Sequence, residues 1–134
     1  MSGPALAAAA QALVGTRFRL NGRDPETGLD CLGVLACAFA RIGHTAALPR
    51  TYSLRCRGDG NAPDIDQAAG LSIATGPIAP GDVLLVRCSP LQLHVLVALA
   101  PEHFVHAHAG LRRVVAGPRD PEWRDAGHWR LPTP

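Results

Sequence analysis

One stretch of the chain constrains its fold more than any other. Residues 31–43 read CLGVLACAFARIG, in which Arg41 is the only charged side chain. Asp30 suits the N-cap of a helix that starts here, and Gly43 suits its C-terminal stop. A helix that is apolar on nearly every side must be covered by other elements. The sequence therefore predicts a buried helix over 31–43, in the middle of a domain.

The rest of the pattern places helices before strands. An alanine-rich segment over 5–14, followed by Gly15, predicts a first helix. An irregular stretch over 44–81 contains a possible short helix at 63–69. Helices followed by an antiparallel sheet define an α+β domain, and 134 residues suit a single domain over 1–134. Apolar runs predict the strands of that sheet over 82–87, 94–99, 104–108, 111–115 and 128–131.

The composition narrows the classes of function. Hydrophobic residues make up 47% of the chain, as in globular proteins, and the formal net charge is only +2. That balance gives no reason to expect nucleic acid or an anionic membrane surface as a partner. No segment approaches the roughly 20 apolar residues of a membrane-spanning helix, and the N-terminus lacks the basic region of a secretory signal. We therefore expect no membrane insertion, and synthesis in the cytoplasm without a signal peptide.

The position of Cys31 makes it a candidate nucleophile. At the first turn of a helix, a thiol meets the positive end of the helix dipole and free backbone N–H groups, which favour the reactive thiolate. Its own N–H could supply half of an oxyanion hole, and Gly33 would leave room for a substrate. Taken alone, Cys31 could equally be a small buried apolar residue. The other cysteines form no Cys-x-x-Cys pair: Cys37 is expected in the core, and Cys56 and Cys88 have no expected role.

The histidines favour a catalytic role for Cys31 over a purely structural one. His94 opens an apolar strand, and Phe104, His106 and His108 alternate onto one face of the next strand. A hairpin turning near Pro101 would place His94 directly or diagonally across from His106 and His108. A nucleophile needs a base, and the base needs a group that orients it. Three histidines on one face could instead bind zinc, with a cysteine as a further ligand. The remaining histidines are expected to be solvated: His44, His103 and His128.

Several motifs together resemble the NlpC-type family of papain-like cell-wall cysteine peptidases. The segment that begins at Leu13 and ends in Asp30-Cys31-Leu-Gly resembles the family's nucleophile motif. The segments Pro80-Gly-Asp-Val, His94-Val-Leu-Val and Phe104-Val-His-Ala resemble its following strands. The end of the chain, with Arg119-Asp-Pro-Glu-Trp and Trp129-Arg-Leu-Pro, resembles short variants from phage and gene-transfer-agent tail clusters.

The resemblance implies roles for individual residues. Cys31 would be the nucleophile and His94 the base, and the family spacing favours His106 over His108 as the orienting group. Asp30 would help to hold a substrate amine, as well as capping the helix. Where relatives often have Tyr and Trp, this chain has Phe18 and Leu20, which weakens the expected substrate contacts. Tyr52, from another loop, could compensate.

The resemblance also implies a function. It predicts a papain-like fold and a cysteine peptidase or amidase that needs no cofactor or metal. Its substrate would be a peptidoglycan stem peptide, cleaved at a γ-D-glutamyl–diamino acid amide bond. The tail-cluster motifs imply phage-like tail proteins as partners, and a phage-like particle as carrier. The alternative from another class is a structural tail-assembly module that kept the fold and lost most of its catalysis.

Overall fold

Helices pack on an antiparallel sheet, which makes the fold α+β. A computed structural model describes residues 2–46, 48, 69–90 and 92–132. The helices are α1 (Gly3–Gln11) and α2 (Cys31–Arg41). The strands, in chain order, are β1 (Arg23–Asp24), β2 (Gly28–Leu29), β3 (Ser72–Ile73), β4 (Val83–Ser89), β5 (Gln92–Ala100), β6 (His103–His108), β7 (Arg113–Gly117) and β8 (Arg124–Arg130). The predicted fold class is confirmed.

The main sheet has six strands in the order β3-β8-β4-β5-β6-β7, and β1 and β2 form a separate small hairpin. Each pairing between these strands is antiparallel. Side chains alternate between the faces, so one set packs under the helices and the other forms a second apolar cluster. The first set includes Val83, Val95 and Val105. The second, on the far face, contains Leu84, Val86, Leu96, Ala98 and Phe104.

Helix α2 begins where the sequence predicts, but it is less enclosed than predicted. Its N-terminal part, from Cys31 to Leu35, is buried, and so are Ala38 and Phe39. Ala36 and Cys37 are only half-buried, which corrects the expectation that Cys37 lies fully in the core. The apolar side chains on that flank are small, so leaving them partly exposed costs little. The helix ends at Arg41, and Gly43 follows with a positive φ of 74°.

Other elements shift or extend the predicted ones. Helix α1 runs over Gly3–Gln11 rather than 5–14, because the Ser2 hydroxyl accepts a hydrogen bond from the Ala5 N–H at 3.2 Å and caps it earlier. Strand β8 is longer than the predicted fifth strand and lies inside the sheet between β3 and β4. The possible helix at 63–69, except for Ala69, lies outside the described residues, as do Tyr52 and Cys56.

Two of the three histidines that were expected to be solvated contact other protein groups instead. His103 is exposed, as predicted. His44 is half-buried, and its Nε2 lies 2.7 Å from the Ala69 carbonyl. His128 Nε2 lies 2.6 Å from Asp82 Oδ2, and Arg130 contacts both oxygens of the same carboxylate at 2.7 and 2.8 Å. The fully buried Asp82 thereby ties the start of β4 to the end of β8. Among the described residues, no helix is long and apolar enough to cross a membrane.

Candidate active site

The start of α2 is fixed by the carboxylate of Asp30. Its Oδ1 accepts a hydrogen bond from the Gly33 N–H at 2.8 Å, as an N-cap does, and its Oδ2 accepts one from the Asn21 N–H at 2.9 Å. Arg23 forms an ion pair with Oδ1 at 2.6 Å. The predicted capping role is confirmed. These contacts occupy both oxygens, so a substrate amine would have to share Asp30 with Arg23.

Gly33 makes room for the preceding loop and not, as predicted, for a substrate. A Cβ added at Gly33 would lie 2.1 Å from the carbonyl oxygen of Gly22. The loop before α2 therefore rests directly on the helix backbone, and only glycine permits this approach. The expectation that Gly33 clears space for a substrate is wrong: the space is filled by the chain itself.

Cys31 lies at the first turn of α2 and lines a cleft of about 630 Å³. Only 8% of its surface is exposed. The backbone N–H groups of Val95 and Leu32 interact with its sulfur. Val95 directly follows His94 on β5, so the sulfur sits against the strand that carries the predicted base. His94 and His106 line the same cleft.

The two histidines form a hydrogen-bonded pair. His94 Nε2 lies 3.0 Å from His106 Nδ1, and the rings meet edge-on with centroids 5.1 Å apart. Val95 and Val105 pack under the helices, so the neighbouring His94 and His106 side chains alternate to the other face of the sheet. Cys31, His94 and His106, the three residues singled out from the sequence, all line the same cleft.

His108 shares that face but contacts a different group. Its Nδ1 accepts a hydrogen bond from the backbone N–H of Leu111 at 3.0 Å, in the turn that leads to β7. Its ring lies 5.9 Å from that of His106 and borders the cleft. The direct partner of His94 is thus His106, as the family spacing favoured.

Trp123 completes the surroundings of the pair, and sequence reasoning missed it. Its ring packs edge-on against His94 and His106, with centroid separations of 5.5 and 5.7 Å. It lies between β7 and β8, 17 residues along the chain from His106, so no local spacing connects them. The available signal was a large aromatic residue two positions after Pro121 in a polar loop.

Burial sets the protonation states of the site. It raises the pKa of the Cys31 thiol to about 12, although the Val95 and Leu32 N–H groups act in the opposite direction. Burial, followed by the charges of His106 and His108, lowers the pKa of His94 to about 3. Burial and His108 lower that of His106 to about 4. Burial therefore opposes the thiolate that the helix terminus was expected to favour, and it favours the uncharged forms of the thiol and of both imidazoles.

The predicted substrate residues are only partly placed. Phe18 is half-buried and lines the cleft, as do Asp30 and the strongly exposed Leu20. Tyr52 lies outside the described residues. As for the zinc alternative, no group of three His, Cys, Asp or Glu side chains in the described part of the chain has the arrangement to hold a metal ion. The histidines hydrogen-bond to one another and to the backbone instead of converging on a point.

The chain is similar in sequence to known proteins over most of its length. No protein-family model matches. The chain is 28% identical over 111 residues to the murein DD-endopeptidase MepS/murein LD-carboxypeptidase of Escherichia coli. The match covers 82% of this chain and 52% of that protein, so the chain spans about half the length of the relatives it matches.

Solved structures share the fold. The NlpC/p60 domain of peptidoglycan hydrolase SagA superposes with a TM-score of 0.64 at 24% identity, covering 88% of this chain and 90% of that one. NlpC2 from Trichomonas vaginalis superposes with a TM-score of 0.68 at 19% identity, covering 98% of this chain and 47% of that one. The helix that starts at a cleft cysteine and the antiparallel sheet that carries the histidines thus make up the papain-like fold of NlpC/p60 domains.

Proposed function

We propose that this protein is a cysteine peptidase that hydrolyses amide bonds in the peptides of peptidoglycan. Cys31 is the nucleophile, His94 the base and His106 the group that orients the base. The observation that carries the proposal is the 3.0 Å contact between His94 Nε2 and His106 Nδ1 in the cleft that Cys31 lines. The relative in Escherichia coli, named for murein peptidase activities, supports the class of substrate.

The hydrogen bond between the histidines fixes where their protons lie. His94 Nε2 faces His106, so Nδ1 is the His94 nitrogen left to take a proton from Cys31. Nδ1 must then be bare in the resting enzyme, and the neutral ring carries its proton on Nε2. That N–H donates to the lone pair of His106 Nδ1, so neutral His106 carries its own proton on Nε2. His106 thereby selects the tautomer in which His94 can act as a base.

Because the resting thiol is neutral, proton transfer accompanies attack. The Cys31 sulfur forms a bond to the substrate carbonyl carbon while His94 Nδ1 takes the thiol proton. The oxygen gains the carbonyl electron pair and accepts a hydrogen bond from the Cys31 N–H at the helix start. His94 then protonates the leaving nitrogen, and the C–N bond breaks to leave a thioester. A water molecule that gives its proton to His94 attacks the thioester, which releases the acid and restores the thiol.

A direct test compares wild type with Cys31→Ala and Cys31→Ser. We expect hydrolysis of purified peptidoglycan and of stem peptides by wild type, and none above background by Cys31→Ala. Cys88→Ala is the matched control, because Cys88 is an exposed thiol that borders the same cleft. It should keep near wild-type activity. Hydrolysis by Cys31→Ala, or its loss in Cys88→Ala alone, would overturn the assignment.

The bond that is cleaved is a finer proposal. Family resemblance favours the γ-D-glutamyl–diamino acid amide, whereas the name of the relative specifies DD-endopeptidase and LD-carboxypeptidase reactions. A panel of muropeptides that contain one of these bonds each, with products identified by mass spectrometry, separates them. Release of a free diamino acid amine from a γ-D-glutamyl peptide supports the first bond. Conversion of a cross-linked dimer into two monomers supports the DD-endopeptidase reaction, and release of D-alanine from a tetrapeptide supports the LD-carboxypeptidase reaction.

The raised pKa of Cys31 also favours a second candidate, a structural module of a phage-like tail that kept the fold and lost most catalysis. The two candidates differ in whether His94 activates the thiol. Alkylation of Cys31 at pH 7, followed by mass spectrometry, should be at least tenfold slower in His94→Ala than in wild type if the dyad is active. Equal rates would favour the structural module. Carriage of the protein by a phage-like particle is a further proposal that applies to both candidates.

A further inference from the structure

Two arginines face each other across the outer edge of the main sheet. The segment before Phe18 pairs with β7, so that Arg17 is the direct antiparallel partner of Arg113. The Phe18 N–H donates to the Arg112 carbonyl at 2.9 Å, and the Val114 N–H donates to the Thr16 carbonyl at 2.7 Å. These bonds bracket the arginines as a non-hydrogen-bonded pair, the arrangement that brings cross-strand side chains closest, with Cα atoms typically about 4.5 Å apart.

This pair, which we call the arginine rim, is open to solvent and, within the described part of the chain, forms no ion pair. Arg17 and Arg113 are both exposed. Neither forms an ion pair with a carboxylate of the residues that the structure describes. Like charges directly opposite each other on a sheet are destabilising. An anion bound between the two guanidinium groups would turn this repulsion into attraction, and the planar guanidinium is suited to binding a carboxylate through two parallel hydrogen bonds.

The arginine rim is continuous with the histidine row of the candidate active site. Arg113 is the cross-strand partner of His108, so their side chains lie on the same face of the sheet. His108 borders the cleft and neighbours His106. Because His108 Nδ1 accepts the Leu111 N–H, neutral His108 carries its proton on Nε2 and presents a donor. His108, Arg113 and Arg17 therefore form a row of hydrogen-bond donors that extends outward from the cleft.

We infer that Arg17 and Arg113, with His108 on the cleft side, form a subsite for a carboxylate of the peptide substrate, beside the amide that is cleaved. The inference rests on the proposed function for the identity of the substrate. Stem peptides suit such a subsite because a γ-linked D-glutamate, a diamino acid and a terminal D-alanine each carry a carboxylate close to a cleavable amide.

The test measures binding in the absence of turnover. The probes are a stem tetrapeptide and versions in which one carboxylate at a time is amidated, titrated by calorimetry into Cys31→Ala protein. Arg17→Gln and Arg113→Gln should each raise Kd for the carboxylate peptide about three- to tenfold, the range for exposed to charge-assisted contacts. For the peptide that lacks the bound carboxylate, these substitutions should leave Kd unchanged. Which amidation has this effect identifies the carboxylate.

Arg41→Gln is the matched control, because Arg41 is exposed at the far end of α2. It should leave Kd unchanged. The expected difference between variants should shrink as ionic strength rises, since the site is open to solvent. Relief of the repulsion should leave the thermal midpoint of Arg113→Gln unchanged or slightly higher, which shows that weaker binding does not come from unfolding.

Several outcomes would overturn the inference. They are equal losses of affinity for the carboxylate peptide and for every amidated version, no loss of affinity in either arginine variant, no measurable peptide binding, or tighter binding of a glycerol phosphate oligomer than of the peptide. Hydrolysis by wild type is scored separately. Hydrolysis without carboxylate discrimination overturns the subsite alone, and discrimination without hydrolysis overturns the proposed peptidase function alone.

Discussion

In the proposed mechanism, the role of His106 depends on one lone pair. There the Nδ1 of His106, 3.0 Å from His94 Nε2, accepts the hydrogen bond and holds the imidazolium that forms on His94 during attack, in place of a carboxylate. Any side chain that offers an acceptor at the same place should therefore serve. An apolar side chain of similar size should not, because it would leave the tautomer of His94 unselected.

His106→Asn should consequently keep kcat/KM within about tenfold of wild type, because the Asn Oδ1 replaces Nδ1 as acceptor. His106→Leu should lower it about 10²–10⁴-fold, the typical contribution of general acid–base catalysis. Steady-state kinetics on a stem peptide would measure both. His103→Asn, at an exposed position on the same strand, is the control and should be neutral. Equal activities of the Asn and Leu variants would contradict the orienting role.

The catalytic histidine candidates could be predicted from the sequence, but the residues that contact them could not. Alternation placed His106 and His108 on one face, because the period of two in a strand is readable from the chain. Which of them meets His94 depends on the register of β5 against β6, and only family spacing favoured His106. The contact of Trp123 with the pair, and the pairing of Arg17 with Arg113, depend on loops whose paths leave no periodic signal.

Among the elements, α2 and the small β1–β2 hairpin work as one unit. Asp30 binds the N–H of Gly33 and the backbone of Asn21, and the loop carbonyl of Gly22 rests on Gly33. The long apolar elements were predictable because burial repeats along them. β1, β2 and β3 have two residues each, too few for a pattern. The contact between this loop and α2 could not be predicted either, because the loop has no periodic pattern. The sequence therefore suggested that Gly33 makes room for a substrate, whereas it makes room for the loop.

Gly33→Ala tests this unit through the sign of its effect. In an unobstructed helix, alanine would stabilise by about 1 kcal/mol relative to glycine. Here its Cβ would meet the Gly22 carbonyl oxygen at 2.1 Å, and forced packing of this kind typically costs about 1–3 kcal/mol. We expect a lower free energy of unfolding in urea. Gly117→Ala is the control, since nothing lies within 4 Å of its added Cβ, and it should not destabilise. A more stable Gly33→Ala variant would refute the close contact.

On the scale of the whole molecule, two sets of buried titratable groups respond to pH in different ranges. Asp82 is held as a carboxylate: burial alone would raise its pKa, but Arg130, the Ala79 N–H and His128 together lower it. Its contribution to stability is therefore lost only as pH falls below the usual range of an aspartate. His94 and His106 are buried in the neutral form and are affected at higher pH, because unfolded histidines titrate near 6.5.

This difference predicts a loss of stability between pH 7 and 4.5 that comes from the histidine pair. Below pH 6.5 the unfolded chain binds protons at both positions, whereas in the folded protein His94 and His106 stay neutral until about pH 3 and 4. Each should lower the free energy of unfolding by up to about 1.4 kcal/mol per pH unit in this window. Urea unfolding at intervals of one pH unit would measure the slope.

The variant that isolates this effect is the double substitution His94→Gln/His106→Gln. It removes both titrations while keeping polar side chains of similar length, so its stability should fall much less steeply between pH 6.5 and 4.5 than that of wild type. His103→Gln, which alters an exposed histidine, should keep the wild-type slope. Asp82 does not affect the comparison of slopes, because its pKa is lowered and it therefore stays ionised between pH 6.5 and 4.5. Parallel slopes for wild type and the double variant would mean that water or a charge partner reaches the pair, and that the uncharged resting state derived for the site is incorrect.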